Sequence, residues 1–169
     1  MKIDNFRIHN DIVRVIDFGM TMEYMKDGAH KALGRFGFQG TPYYGSISSL
    51  NKYTISRRDD IESLGYSIMQ LIDAKKMPWY NCETKDELLL SKKNFIVDPD
   101  VPLEYKGIQK YIKSANALDY FLEPDYNEFE YYLIHMLDDF REAELETIAN
   151  DIYDELIKKE LFQYAECYS

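Results

Sequence analysis

The sequence predicts a mainly α-helical domain with a small β element at its start. Residues 58–73, 104–117 and 126–140 carry apolar side chains at helical spacing. Two short runs rich in β-branched residues, 6–8 and 12–16, stand together near the N-terminus. Hydrophobic residues make up 46% of the 169. That content excludes a disordered tail and suits one domain with a real core.

Each element has its own justification. Phe6-Arg7-Ile8 and Ile12-Val13-Arg14-Val15-Ile16 flank the turn cluster His9-Asn10-Asp11, which predicts a hairpin. From Met20 to Asn51 the pattern breaks down. Five of the eight glycines fall there with Pro42, so a long irregular loop is expected, and long loops in compact domains are often functional. Residues 58–73 follow, with Asp59 or Asp60 as cap. Ile61, Leu64, Ile68, Met69, Leu71 and Ile72 make this helix apolar nearly all round, the pattern of a helix in the middle of a domain. Met77-Pro78-Trp79 ends it, and Trp79 reads as core. Residues 84–93 are weakly periodic. Residues 104–117 align Ile108, Tyr111, Ile112 and Ala115, and residues 126–140 align Tyr126, Phe129, Leu133, Met136, Leu137 and Phe140. A last helix is expected over about 141–163. The organisation expected is one domain over 1–140 and an acidic C-terminal helix within 141–169.

Charge and cysteine content narrow the function classes. The formal charge is −10, and residues 138–169, with ten acids and three bases, carry −7 of it. Nucleic-acid binding wants clustered Lys and Arg, so no nucleic-acid partner is expected. The acidic segment suits a solvated face and tolerates a basic protein partner. No run approaches the ~18 apolar residues of a membrane span. Asp4, Arg7, Asp11 and Arg14 interrupt any signal-peptide core. Cys82 and Cys167 form no CxxC pair, which reads as a reducing, intracellular compartment, cytoplasmic or nuclear. His9, His30 and His135 show no metal-ligand spacing.

The informative stretch is Val15-Ile16-Asp17-Phe18-Gly19. An acid, an aromatic and a glycine after an apolar strand can present a carboxylate to a divalent cation while the aromatic plugs the core beneath it. Upstream stand Lys2 and Asn5. Downstream come Gly40-Thr41-Pro42-Tyr43-Tyr44-Gly45-Ser46-Ile47, then Ser56-Arg57-Arg58-Asp59-Asp60-Ile61-Glu62-Ser63-Leu64-Gly65-Tyr66, then Pro78-Trp79. In this ordered set the sequence resembles the C-terminal lobe of a protein kinase of the casein kinase one and vaccinia-related kinase branch. The eleven residues Ser56–Tyr66 are its most specific part, and Tyr105–Leu133 lean to the vaccinia-related side.

The resemblance implies a helical lobe with a small N-terminal hairpin, truncated just after the catalytic aspartate and lacking the nucleotide lobe. It implies a serine/threonine kinase that uses Mg²⁺ and ATP in its complete form, with a protein substrate. Asn5 and Asp17 would hold Mg²⁺, with Phe18 and Gly19 completing the nucleotide-side motif. Lys2 would neutralise the transferring phosphate, and Thr41 would contact the catalytic pair. Asp60 would anchor the catalytic-loop backbone, and Arg57 and Arg58 would brace the substrate-side loop. Tyr43 departs from the arginine of casein-kinase-one sequences. The chain carries no GxGxxG, strand lysine or HRD, so it is expected to be inactive alone and to bind neither Mg²⁺ nor ATP alone. The alternative is a non-catalytic, pseudokinase-like remnant that binds a protein partner. Self-association through the apolar inter-lobe face, left exposed without the nucleotide lobe, is a further expectation.

Overall fold

The protein's structure is a computed structural model that describes residues 2–138 and Arg141. Most of the expected helix over 141–163, and the boundary at 140, lie outside these residues. The chain opens with a 3-10 turn at Ile3–Asn5 and a hairpin of β1 (Phe6–His9) and β2 (Ile12–Val15). Asn10 and Asp11 both take positive φ, 49° and 58°, as a tight two-residue hairpin turn requires.

The expected irregular loop over 20–51 is partly ordered. Asp27 and Gly28, again with positive φ, close a second hairpin of β3 (Met25–Lys26) and β4 (Ala29–His30). A 3-10 turn at Pro42–Tyr44 and the short α1 (Ile47–Leu50) follow. The Asp-Gly pair is a hairpin signal in its own right; the glycine-rich surroundings mask it.

The body is helical: α2 (Arg57–Asp73), α3 (Lys85–Val97), α4 (Leu103–Ala117) and residues 126–138, here α5. The N-cap of α2 is Ser56 and neither Asp59 nor Asp60: Asp59 is the third helical residue, and its carboxylate closes the capping box by accepting the Ser56 N–H at 2.8 Å. Thr84 and Glu87 form the equivalent box on α3, which runs beyond the expected 84–93 because Phe95 and Ile96 enter the core. α2 packs against α4, α1 and both 3-10 turns. Gly65 permits the α2–α4 approach: a Cβ there would stand 2.5 Å from Ile112. The α4 stripe Ile108, Tyr111, Ile112 and Ala115 is entirely buried.

The all-round apolar reading of α2 needs correcting. Leu71 is exposed, whereas Glu62, Ser63 and Ser67 are buried. The helix is central, but part of its inner face is polar: Glu62 holds the Ile47 N–H and Asn116, and the Ser67 hydroxyl donates back to the Ser63 carbonyl of the same helix. Trp79 is fully buried, edge-on to Tyr66 and Phe95 at 5.1 and 5.8 Å.

Candidate functional site

The hairpin register builds the cleft. Phe6 pairs with Val15, and the Ile16 N–H donates to the Asn5 carbonyl at 2.7 Å, so the residue before β1 lies beside those after β2. Asn5 and Asp17 therefore converge although eleven residues separate them. With Lys2, Thr41, Asp59 and Asp60 they line a cavity of about 280 Å³. A second cavity, about 530 Å³, shares Asn5, Asp17 and Asp60 and adds Phe18, Tyr24 and Arg57.

Asp17 takes φ 65°, a left-handed conformation unusual for a non-glycine residue and characteristic of functional turns. Its Oδ1 accepts the Gly19 N–H at 3.4 Å. Lys2 is half-buried and pairs with Asp4 at 3.6 Å. Thr41 precedes the Pro42–Tyr44 turn, and its carbonyl accepts the Tyr44 N–H at 3.1 Å, leaving its side chain without a capping hydrogen bond. Asp60 opens to solvent at the cleft yet is enclosed by protein elsewhere; that burial, with the neighbouring Asp59 charge, raises its carboxyl. Among the described residues Asp60 accepts no hydrogen bond from the Lys2–Asn5 backbone.

Phe18 differs from expectation. It is 66% exposed instead of plugging a core. Its ring borders the larger cavity instead of entering a packed socket. The arginine pair does link loop to body. The Arg57 guanidinium lies 4.6 Å over the Tyr24 ring and 3.5 Å from Glu123. Arg58 donates to the Leu118 carbonyl and, at 3.3 Å, to Ser48 Oγ. His30 of β4 sits edge-on against Tyr120 and Phe121, tying the second hairpin to the turn after α4.

Three buried charged residues escaped sequence reasoning. Glu62 accepts from the Ile47 N–H at 2.8 Å, Tyr66 OH at 2.7 Å and Asn116 Nδ2 at 3.3 Å. Burial raises its carboxyl against those donors. Lys92 is fully buried, 3.8 Å over the Tyr66 ring, and its Nζ donates to the Gly45 carbonyl at 2.7 Å. Burial pulls it down to about 7, with Glu62 opposing. Asp59 accepts from Ser46 Oγ at 2.6 Å as well as closing the capping box on α2. The signal for Lys92 was present: it shares the stripe Leu88, Lys92, Phe95, Ile96.

The donor set fits a hard cation. An amide and a carboxylate oxygen are what Mg²⁺ accepts when waters and phosphates complete its shell. Among the described residues no three His, Cys, Asp or Glu side chains are grouped to hold a metal by themselves. Among them also no helix is long and apolar enough to cross a membrane.

No family model matches the chain. Individual proteins do. The B1 kinase of Monkeypox virus is 30% identical over 141 residues, which span 76% of this chain and 46% of the viral protein. A probable serine/threonine-protein kinase of Fowlpox virus is 30% identical over 129 residues, 72% of this chain and 42% of that protein. One from Dictyostelium discoideum is 26% identical over 166 residues, 92% of this chain and 30% of that protein. The chain spans about half the length or less of these relatives. One bears the name B1 kinase and two that of probable serine/threonine-protein kinases, and the likeness runs to the vaccinia-related branch.

Proposed function

We propose, for a chain whose relatives are vaccinia-related and other serine/threonine protein kinases, that residues 1–140 form the C-terminal-lobe part of such a kinase. In this reading the cleft receives the phosphate end of Mg–ATP in the complete protein. The observation that carries it is the convergence of Lys2, Asn5, Asp17 and Thr41 on one cavity. Asn5 and Asp17 would hold Mg²⁺, which when bound neutralises phosphate charge. Lys2 supplies a positive charge beside that position. Thr41 lines the same cavity, and among the described residues its side chain makes no capping hydrogen bond. Arg57 and Arg58 hold the loop carrying Tyr24 and Ser48 against the body. The partner acted upon would be a protein.

We also propose that the chain alone transfers no phosphate. Phosphoryl transfer rests on positioning and electrostatic clamping, and the Gly-rich loop and strand lysine that clamp the nucleotide are not in this sequence. A second reading, a non-catalytic protein-binding module, is favoured by one feature. Ile8, Val13 and Phe18 stand 75%, 62% and 66% exposed around the hairpin, an apolar surface suited to a protein partner or a second copy.

Two measurements test these readings. Mn²⁺ added to isotope-labelled chain should broaden the Asn5 and Asp17 amides, and Asp17→Ala should abolish the broadening; no broadening in the wild type rejects the cation site. Incubation with labelled Mg–ATP and acceptor protein should give no transfer. Transfer that disappears in Asp17→Ala would overturn the proposed inactivity.

A further inference from the structure

We propose that Lys92 is a positioning residue for the cleft: with Glu62 and Asp59 it grips three consecutive residues, Gly45, Ser46 and Ile47, and thereby fixes where the preceding turn presents Thr41. The proposal rests on the kinase-type reading only for the role of Thr41; the grip stands on its own geometry.

Each residue of the segment is held by a different buried charged side chain. Lys92 Nζ donates to the Gly45 carbonyl at 2.7 Å, Ser46 Oγ donates to Asp59 Oδ1 at 2.6 Å, and the Ile47 N–H donates to Glu62 Oε1 at 2.8 Å. Lys92, Glu62 and Asp59 are 0%, 1% and 3% exposed. Tyr66 joins two of them, its hydroxyl donating to Glu62 while its ring face lies under Lys92. The Trp79 ring, 5.4 Å from Nζ, forms another side of the enclosure. The segment also lies hard against its neighbours: a Cβ on Gly45 would stand 2.9 Å from Phe38 and 3.0 Å from Ser49 Oγ.

The energetics favour positioning over bulk stability. Burying charges carries a desolvation cost that their mutual attraction seldom exceeds, whereas a satisfied buried polar cluster specifies one arrangement. The Gly45 N–H donates to the Pro42 carbonyl at 3.1 Å. Holding Gly45 therefore also holds the 3-10 turn that Thr41 begins. The charged and titratable groups around Lys92 are Glu62, Tyr66 and, through Ser46, Asp59, all from α2. Burial brings Lys92 to about 7, so its charge is open to titration without extremes of pH.

The test uses the full isotope-labelled chain and Lys92→Met. The variant should keep its helical circular dichroism, while exchange of the Ile47 amide quickens at least tenfold, the Thr41 resonance moves, and the Ile112 amide stays unchanged. A folded variant with Ile47 protection and Thr41 shift as in the wild type overturns the proposal. A wild-type titration decides the matter if the variant does not fold. The Lys92 Cε resonance and the Thr41 and Ile47 amides should share a midpoint near pH 7. Amides that fail to follow Lys92, wherever its midpoint falls, overturn it. Mn²⁺ broadening at Asn5 and Asp17 is read in the same sample. Its absence rejects the cation site and leaves the grip standing.

Discussion

Ile112 in α4 and Val13 in β2 are both β-branched and apolar, yet Ile112 is fully buried and Val13 is 62% exposed. The two regions they stand for differ in partners rather than in composition. Ile112 faces α2 across Gly65, and the core continues through Tyr111, Trp79 and Phe95. Val13 lies in a two-stranded sheet whose apolar residues meet no second layer among the described residues. Two strands without cover are marginal in water. Hydrophobicity sets what a residue gains by burial; whether burial happens depends on what the fold brings opposite.

That contrast can be broken or sharpened by measurement. Trp79→Ala removes a fully buried indole between Tyr66 and Phe95 and should cost about 3–5 kcal/mol in denaturant unfolding. Gly65→Ala places a methyl group against Ile112 and should cost about 1–3 kcal/mol through overpacking. If either change proves neutral, the helical body is not the stable part.

The next effect is pH-dependent. Folded Lys92 titrates at about 7 against an ordinary 10.5. Between those values the unfolded chain holds a proton that the folded chain has released, so stability rises with pH above about 7 and is flat and lowest below it. Glu62, raised by burial, acts oppositely: its contribution falls as pH climbs from 4.5 through its raised value. The unfolding midpoint should therefore increase from pH 7 to 9 in the wild type and not in Lys92→Met. Above 10, Tyr43 and Tyr105, pushed up to about 12 by burial, pull stability down again. The smallest effect belongs to the hairpin. Val13→Ser should shift stability by less than about 0.5 kcal/mol. A loss above about 1 kcal/mol would show that the exposed sheet is part of the cooperative core.

Much of this architecture was legible because its signals are local. The α4 stripe, the turn at Asn10-Asp11 and the core position of Trp79 follow from spacing and residue type. The cleft was partly legible for the same reason: the hairpin that joins Asn5 to Asp17 is a contact between sequence neighbours. Other features were not. Glu62 looks like an ordinary charged helix residue, and the place of Lys92 on an apolar stripe does not say what it meets; their partners lie in a segment 15 residues away from one and 47 from the other. Phe18 was misread because an aromatic after a strand suggests a socket, and a socket is made by other elements.

The amino-acid order by itself determined the main helices and the hairpin that brings Asn5 toward Asp17, since each depends on residues within a few turns of one another. Only the tertiary structure decided that Asp59 and Glu62 turn inward, that Lys92 reaches the Gly45 carbonyl, and that Phe18 remains in water. Those outcomes depend on desolvation and on which surfaces meet, and neither is a property of any stretch of chain taken alone.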